Sequence, residues 1–488
     1  MRMREPVVIE CDVAVVGTGA AGMMAALTAA ENGAKVCCIS KMPFHAPNCT
    51  TRAYGDMTWT THRTRDELVR QIVQTGGFLS DQSRVFGLAL GVPHVLNKLR
   101  VLGVPLDEPR PAGPGMPGTV RWSYRGTDAG QEVLDRIRAG ALAHRVNFMH
   151  GCVATEVLTD ANGEACGIAA IGLAARQPVI LRSWIVVLAT GGGAGIFART
   201  DNPPGTTGDG IAMAYEAGAE LVDLELISFG YPEARIRDVL ERGEELRDEL
   251  LELGYAHYFL GGARVTYSNE TEVDGLYAVG EVSGGVFGAG RLGGSALADC
   301  FGGALSIHSW VNLEIERLDR IGVDDDEVQA ACDRIETILR GTTHPAPLQE
   351  RIREICWRGL GPVKTEASIT RALEELEELS PEIAFCGGAS RDDIRTAVEV
   401  RHMHTVAQLV AHASLERRET RGCYWRADYP EPDNETQLRN LILRKGKDGP
   451  EVTSEPPRLD RVKEPTTPRI GAGCFGYIPR ETPNAHQG

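Results

Sequence analysis

The sequence lacks any pair of cysteines spaced as C-x-x-C, although 12 cysteines occur among its 488 residues. Such pairs are typical of zinc sites, dithiol redox centres and the ligand sets of iron–sulfur clusters. The sequence therefore offers none of these three sites, and we expect no bound metal. Scattered cysteines without a pairing motif favour reduced thiols in a cytoplasmic protein.

The chain also lacks an excess of positive charge. It has 51 Lys and Arg residues against 67 Asp and Glu residues, which gives a formal net charge of −16. This balance argues against nucleic acid or an anionic membrane surface as the main partner.

No signal peptide and no transmembrane segment are predicted. The first residues, Met1 to Arg4, lead directly into a strand-like run at 7–9. Residues 13–30 are uncharged and nearly as long as a membrane span, but they contain a glycine turn. Their apolar run also changes its period halfway, which favours a strand followed by a helix.

Residues 12–39 have the pattern of one βαβ unit. Residues 12–16 are typical of a buried strand, residues 20–31 of a helix, and residues 35–39 of a second strand. Asn32-Gly33 ends the helix, because glycine readily takes the left-handed conformation. A strand, a helix and a strand in this order imply a parallel sheet, so the predicted fold class is α/β.

The turn inside this unit, Gly17-Thr18-Gly19-Ala20-Ala21-Gly22, matches the pattern G-x-G-x-x-G. The first glycine permits a tight turn, the second lets the backbone approach a pyrophosphate, and the third allows close packing of the helix on the strand. The helix dipole at this end favours negative phosphates. Ser40-Lys41 stands where an acidic residue usually binds the ribose. We therefore expect a hydroxyl to hold the ribose, which speaks against a plain NAD dehydrogenase.

Further helices and strands are predicted from periodicity and turn residues. Helices are expected at 64–100 with a break at Gly76-Gly77, at 127–145, over most of 200–254, at 294–316 and at 326–418. Strands are expected over 147–190 and 257–280, with a hairpin turn at 268–270. The last forty residues contain seven prolines and are predicted to form a tail.

Several short motifs follow the βαβ unit in a fixed order. They are Ile39-Ser40-Lys41, Val186–Gly193, Asn202–Gly205, Thr207–Gly210, Gly275–Glu281, Arg291–Leu297 and Glu419–Gly422. Together they resemble the succinate dehydrogenase/fumarate reductase flavoprotein family, which also includes L-aspartate oxidase. The resemblance covers about residues 8–435 and implies FAD, rather than NAD, as the cofactor.

The resemblance also implies how the chain is divided. A Rossmann-like FAD-binding domain is expected from two discontinuous segments, 8–230 and 257–318. Residues 231–256 would be the remnant of a capping domain. A helical C-terminal domain at 326–440 and a proline-rich tail at 441–488 complete the predicted organisation.

The family's cofactor-binding roles carry over to matching positions. Ser40-Lys41 is expected at the adenosine ribose, Asp209 near the flavin or its diphosphate, and Glu281 at the ribityl chain. Ser295 and Leu297 are expected beside the isoalloxazine, where a helix start would stabilise negative charge on the reduced flavin. The full set is Gly17, Gly19, Ala20, Ala21, Gly22, Ser40, Lys41, Thr190, Gly191, Asp209, Glu281, Ser295 and Leu297.

Many members of the family tether FAD through a histidine. Cys49 falls closest to that position in this sequence, and His45 lies four residues too early. We therefore expect non-covalent FAD, with a thioether at Cys49 as the alternative.

On the substrate side, His257 matches a family histidine that binds a carboxylate, and Arg291 matches the arginine that clamps one. Arg237 resembles the arginine that transfers the proton. Three other positions depart from the family, because Gly230, Phe287 and Tyr424 stand where it has histidines. Only a short stretch replaces its capping domain, whose closure excludes water.

Three functional hypotheses follow. The first is a FAD-dependent dehydrogenase or reductase that moves a hydride between flavin N5 and a carbon beside a carboxylate. Because one carboxylate ligand is missing, its substrate would be a monocarboxylate or a bulkier enoate, or a partner chain would complete the site. The second is amine oxidation like that of L-aspartate oxidase. The third is a non-catalytic flavin subunit for electron transfer, and the resemblance implies an iron–sulfur partner subunit.

Overall fold

The computed structural model describes residues 5–123, 129–230, 252, 254–316 and 324–463. The predicted capping remnant at 231–256 lies mostly outside the described residues, and so does Arg237 within it. The end of the predicted tail, 464–488, also lies outside them.

A five-stranded parallel sheet forms the centre of the nucleotide-binding half. Each neighbouring pair of its strands runs parallel. The strand Val13–Val16 is buried along its whole length, as expected for a strand covered on both faces. The α/β class and the predicted βαβ unit are therefore confirmed. In sheet order the strands are Leu276–Ala278, Ile185–Leu188, Val13–Val16, Val36–Ser40 and Asn147–His150.

The helix Ala20–Glu31 follows the first strand of the βαβ unit, with the bounds that the sequence predicts. Every residue from Ala20 to Ala30 is buried, because the helix packs against the helices Ala129–Ala143 and Ser295–Ser306 as well as the sheet. Its small side chains permit this close packing on several sides. Gly33 lies just beyond its end in the left-handed region, with φ of +91°.

A four-stranded sheet contains three of the strands predicted between 147 and 190, and the other two belong to the parallel sheet. Val7–Glu10 pairs in parallel with Gln177–Arg182, and the remaining pairs are antiparallel. In sheet order the strands are Val7–Glu10, Gln177–Arg182, Ala165–Gly172 and Cys152–Thr159. The helix Asp209–Glu216 contacts the last of them.

The chain after this helix differs from the prediction, which made most of 200–254 helical. The helix ends before Gly218, whose φ is +97°, and the strands Leu221–Val222 and Ile227–Gly230 follow. Both strands are fully buried. Continuous burial removes the alternation that distinguishes a strand from a helix in sequence, so periodicity alone misassigns this stretch.

The predicted tail also begins differently. Asn440–Lys445 and Pro450–Glu455 form an antiparallel hairpin, and the first of them pairs with Leu221–Val222. Its apolar residues 441–443 are buried. Three apolar residues are too few for a periodicity signal, which explains why the sequence predicts a tail from 441.

Smaller sheets and further helices complete the described parts of the nucleotide-binding half and the C-terminal region. The helices at 65–75 and 82–101 are separated at the predicted glycine break. Asn269 N–H donates to the Thr266 carbonyl oxygen (3.0 Å), which forms a tight turn close to the predicted one. The remaining strands are Asp56–Trp59, Arg110–Pro111, Gly118–Arg121, Tyr255–Phe259, Gly262–Ala263, Val363–Lys364 and Trp425–Arg426, and the remaining helices are Arg65–Thr75, Gln82–Val101 and Val311–Ile315.

The C-terminal region is helical, as the sequence predicts. Capping boxes at Thr365 and Ser390 satisfy the first amides of two of its helices. The longest helix, Arg391–Glu416, packs against the helix Asp209–Glu216 and the strand Cys152–Thr159. It therefore lies directly behind the Thr207–Gly210 motif of the nucleotide-binding half. The helices are Asp325–Leu339, Pro345–Leu360, Glu366–Glu377, Ser380–Ala384 and Arg391–Glu416.

Among the helices that the structure describes, none combines the length and the hydropathy needed to cross a membrane.

Candidate active site

The three glycines of the turn have different surroundings. A Cβ atom on Gly17 would lie 2.3 Å from the Ala189 carbonyl oxygen, and one on Gly22 would lie 2.0 Å from the Gly17 carbonyl oxygen. A Cβ on Gly19 would meet only the Thr50 hydroxyl, at 3.5 Å. The outer glycines are thus required by packing, whereas the middle one leaves its backbone open to a ligand.

A cavity with about 1080 Å³ of empty space, part of it open to solvent, lies at this turn. Its walls include the carboxyl ends of neighbouring parallel strands, where nucleotides bind in folds of this type. Gly191 also lines it, and a Cβ there would have no atom within 4 Å. The predicted residues that line it are Gly17, Gly19, Ala20, Ala21, Ser40, Lys41, Thr190, Gly191, Asp209 and Glu281.

A larger surface depression, with about 1610 Å³ of empty space that is partly open to solvent, lies elsewhere, between the helix Glu366–Glu377 and the hairpin 440–455. Several carboxylates line it and none of the motif residues does. It does not suit an anionic cofactor.

Lys41 is bound by protein groups in the structure. Its Nζ lies 2.8 Å from Asp209 Oδ2 and 2.8 Å from Glu399 Oε1, and it donates to Thr207 Oγ1 (2.8 Å). Burial by itself would lower the pKa of Lys41, but the two carboxylates outweigh burial and raise it. The Ser40 hydroxyl donates to the nearby Met42 carbonyl oxygen (3.1 Å). Both side chains line the cavity, yet both already have protein partners.

Asp209 begins its helix beside the cavity. Its Oδ1 accepts a hydrogen bond from Thr207 (2.7 Å) and lies 3.3 Å from His402 Nδ1. Burial would raise the pKa of Asp209, but Lys41 and His402 hold it well below its ordinary value. Thr190 supports the same helix start, because its hydroxyl accepts from the Gly210 N–H (3.1 Å).

Glu281 is buried, and its Oε1 accepts from the Phe259 N–H (3.0 Å). Burial raises the pKa of Glu281 to about 7, although the Phe259 amide and the charge of Arg291 oppose the shift. The carboxyl group can therefore donate or accept a hydrogen bond near neutral pH.

Arg291, His257 and Asp201 form a polar chain. Arg291 Nη2 donates to His257 Nε2 (3.1 Å), and His257 Nδ1 donates to Asp201 Oδ2 (2.7 Å). Asp201 thereby fixes the histidine tautomer and the orientation of its ring. Arg291 is only 8% exposed, and its guanidinium lies 4.5 Å from the Tyr258 ring centroid.

This polar chain adjoins the cavity. Asn202 Nδ2 donates to the His257 carbonyl oxygen (2.7 Å), and Cys49, which lines the cavity, donates from Sγ to Asn202 Oδ1 (3.1 Å). As a residue Cys49 is exposed, but its thiol is surrounded by protein, which raises its pKa to about 12. A protonated thiol is a weak nucleophile.

Two of the positions that depart from the family, Gly230 and Tyr424, offer no carboxylate ligand. A Cβ on Gly230 would lie 2.3 Å from the ring of Tyr255, which occupies that space. Tyr424 is fully buried, and its hydroxyl donates to the Ser414 carbonyl oxygen (2.9 Å).

Three predicted cofactor-binding residues lie outside the cavity lining. Gly22 packs inside its helix. Ser295 is fully buried at the start of the helix Ser295–Ser306, with its hydroxyl bonded to the Leu292 carbonyl oxygen. Leu297 is partly buried on the same helix.

The sequence analysis did not identify Glu399 and His402, which contact the cavity-lining residues Lys41 and Asp209. They lie on a helix almost 200 residues after Asp209, outside every motif. Asp201 was missed too, although it directly precedes the Asn202–Gly205 motif.

Two families match the sequence. The FAD binding domain family matches residues 12–241 and 252–297, and the fumarate reductase flavoprotein C-terminal family matches residues 349–470. One subunit of the fumarate reductase (CoM/CoB) of Methanothermobacter marburgensis is 26% identical over 89% of this chain and 97% of its own. An L-aspartate oxidase of Streptomyces coelicolor is 26% identical over 97% of this chain and 97% of its own.

Solved structures show the same fold. Quinol fumarate reductase FrdA of E. coli has a TM-score of 0.82 and 20% identity, over 95% of this chain and 99% of its own. Sdh1 of Mycobacterium smegmatis has a TM-score of 0.80 and 24% identity, over 92% of this chain and 94% of its own.

The first family covers more than half of the chain and contains both the glycine turn and most of the cavity lining. FAD is therefore the cofactor, as the sequence resemblance implies. The chain belongs to the FAD-dependent oxidoreductases of the fumarate reductase and succinate dehydrogenase flavoprotein family.

Proposed function

We propose that this oxidoreductase forms or reduces a carbon–carbon double bond next to a carboxylate, and that Arg291 and His257 bind that carboxylate. The observation that carries the proposal is the chain from Asp201 through His257 to Arg291 beside the cavity. A buried guanidinium is a strong ligand for a carboxylate, because its N–H groups match the two oxygens. Bound FAD supplies the two-electron acceptor or donor for such a bond.

The chain's own groups suit FAD on physical grounds. The open backbone at Gly19 and Gly191 accommodates a pyrophosphate, and the start of the helix Ala20–Glu31 favours its negative charge. Glu281, with its pKa near 7, pairs with either a donor or an acceptor on the cofactor. We propose that Ser40, Lys41, Thr190, Asp209, Ser295 and Leu297 also bind FAD.

We propose a monocarboxylate as the substrate class. Arg291 and His257 together provide a site for one carboxylate group. Gly230 and Tyr424 provide no ligand for the second carboxylate of a dicarboxylate. A proton donor is still required on the opposite face of the substrate, and Arg237 is the candidate that the sequence offers.

We further propose that the protein works with a partner protein that carries iron–sulfur clusters, in the cytoplasm. The M. marburgensis relative is itself named as one part of a larger enzyme, and no C-x-x-C pair in this chain provides its own cluster ligands.

The test is single-turnover oxidation of the photoreduced holoprotein without oxygen. A small enoate with one carboxylate should restore the flavin absorbance faster than fumarate does. Arg291→Gln should slow this step by about 100-fold or more and still retain FAD, because it removes a charged ligand. Arg371→Gln, an exposed arginine paired with Glu375 (2.8 Å), is the matched control and should behave like the wild type.

Two results would contradict the proposal. One is a reduced flavin that no carboxylate reoxidises in the wild-type protein. The other is hydrogen peroxide formation with L-aspartate in air, which would indicate amine oxidation instead.

A further inference from the structure

Two tyrosines of the strand Tyr255–Phe259 lie on one face of a two-stranded sheet. Tyr255 pairs with Gly230 and Tyr258 pairs with Ser228 on the neighbouring strand. Residues two apart on a strand point to the same face, and residues directly opposite each other share a face. The register shifts at His257, which adds one residue between the tyrosines and keeps both on that face.

The proposed carboxylate ligands lie at one end of this face. The Arg291 guanidinium lies 4.5 Å from the Tyr258 ring centroid, and its Nη2 donates to His257 Nε2 (3.1 Å). Tyr255 lies farther along the strand, by about 7 Å for two residues of the partner strand. A carboxylate held by Arg291 therefore leaves the rest of the substrate on the side of Tyr255.

The ring of Tyr255 lies across Gly230. A Cβ atom on Gly230 would lie 2.3 Å from two ring carbons of Tyr255 and 2.5 Å from its hydroxyl oxygen. Gly230 is the position at which the family resemblance implies a histidine. An aromatic ring thus occupies the place of a second carboxylate ligand, and the face of such a ring suits an apolar group.

Tyr54 approaches the same place from another segment. Arg52, two residues before it, donates from Nη1 to the Asp201 carbonyl oxygen (3.5 Å). Burial and the charge of Asp201 raise the pKa of Tyr54. Burial, Asp201 and Tyr54 raise the pKa of Tyr255. The two tyrosines and Asp201 are thus close enough for their charges to interact, and Tyr54 is 57% exposed.

We propose that Tyr255 and Tyr54 form an aromatic subsite beside Arg291 and His257, and that the preferred substrate is an enoate with an aryl group on the carbon remote from the carboxylate. This inference rests on the proposed function and specifies its substrate class. The two tyrosines determine specificity, because they contact the aryl group rather than the reacting carbons.

The proposed reaction is unchanged in its balance. In the reducing direction, the carbon that bears the aryl group accepts a hydride from reduced FAD, and the carbon beside the carboxylate accepts a proton. The double bond becomes a single bond, and FAD is left oxidised. Stacking on two rings favours an aryl substrate over an alkyl one by about ten-fold in binding.

The test compares two enoates that differ in one group, 3-phenyl-2-propenoate and 2-butenoate. Each reoxidises the photoreduced holoprotein without oxygen, in single turnovers at a series of concentrations. The wild type should reach half of its maximal rate at an about ten-fold lower concentration of the aryl compound. Tyr255→Leu and Tyr54→Leu should each reduce this preference by about three-fold and leave the values for 2-butenoate nearly unchanged.

Three controls accompany these variants. Tyr255→Phe keeps the ring and should keep the preference. Tyr267→Leu changes another exposed tyrosine, whose ring would lie 2.4 Å from a Cβ on Gly87, and should behave like the wild type. Equilibrium dialysis of the oxidised holoproteins with 3-phenylpropanoate measures binding of the aryl acid without any reaction. Thermal unfolding establishes that each variant folds.

The proposal is overturned if the wild type has equal half-saturating concentrations for the two enoates. It is also overturned if Tyr255→Leu and Tyr54→Leu weaken both compounds alike, which would indicate a structural role. Failure of the proposed function is a separate result, in which neither enoate reoxidises the flavin. In that case the dialysis decides, and binding of 3-phenylpropanoate that neither leucine variant weakens rules out the subsite.

Discussion

At the residue scale, the glycine turn combines two separate requirements. Gly22 and Gly17 approach each other so closely that a side chain on Gly22 would overlap the backbone. Gly19 has no such neighbour, and its φ of −78° suits any residue. Gly17 and Gly22 are therefore needed for folding, and Gly19 is needed for ligand binding.

Alanine at Gly22 and alanine at Gly19 should therefore have different effects. Gly22→Ala should lower the unfolding free energy of the apoprotein by about 1–3 kcal/mol, because the added methyl overpacks the turn. Gly19→Ala should leave that free energy nearly unchanged but weaken FAD binding, because its methyl enters the cavity. Urea unfolding and FAD titration measure the two quantities. Equal FAD affinity of Gly19→Ala and the wild type would place the pyrophosphate elsewhere.

Glu281 also leads to a prediction at this scale. Its folded-state pKa of about 7 lies above its ordinary value of 4.5, so the folded apoprotein holds a proton that the unfolded chain releases. The unfolding free energy should therefore fall as pH rises from about 4.5 to about 7 and stay level above that, by about 3 kcal/mol in all. Glu281→Gln should remove this slope. An unchanged slope in denaturation at several pH values would contradict the assignment.

At the scale of elements, residues 419–423 tie the C-terminal region to the loop that carries Arg291. The Cys423 N–H donates to the Ala289 carbonyl oxygen (2.8 Å), and Arg421 donates to the Gly77 carbonyl oxygen (2.9 Å). Arg421 also pairs with the fully buried Glu419 (2.7 Å). The contacts of this motif serve packing, since none of its residues lines the nucleotide cavity in the part of the chain that the structure describes.

Gly422 is the residue on which this contact depends. Its φ is +56°, and a Cβ there would lie 2.1 Å from the Ala289 carbonyl oxygen. Gly422→Ala should destabilise the protein by about 2–4 kcal/mol and weaken carboxylate binding at Arg291, since the loop must move. Urea unfolding and carboxylate titration of the holoprotein measure the two effects.

Gly33→Ala is the matched control for that substitution, because Gly33 has φ of +91° and no atom within 4 Å of a Cβ. Gly33→Ala should lower the unfolding free energy only by the backbone strain, about 1 kcal/mol, and leave carboxylate binding intact. Equal losses of stability for the two variants would show that the contact with Ala289 is unimportant.

At the scale of the whole molecule, the sequence predicted features that depend on neighbouring residues better than features that depend on long-range contacts. The βαβ unit and the helix Ala20–Glu31 were predicted from residues close in sequence, and FAD from ordered motifs. The strands at 221–230 and the hairpin at 440–455 were not, and the sheet that joins Leu221–Val222 to residues 442–443 spans more than 200 residues of sequence. Glu399 and His402 were missed for the same reason: nothing near them in sequence reveals that they face Lys41 and Asp209.

The most direct test of the account is a crystal structure of the FAD-loaded protein with a bound monocarboxylate. We predict the FAD pyrophosphate at the Gly17–Gly22 turn and the carboxylate within hydrogen-bonding distance of Arg291 and His257. FAD in this cavity with the carboxylate bound away from Arg291 would contradict the proposed chemistry. FAD outside the cavity would contradict the site itself.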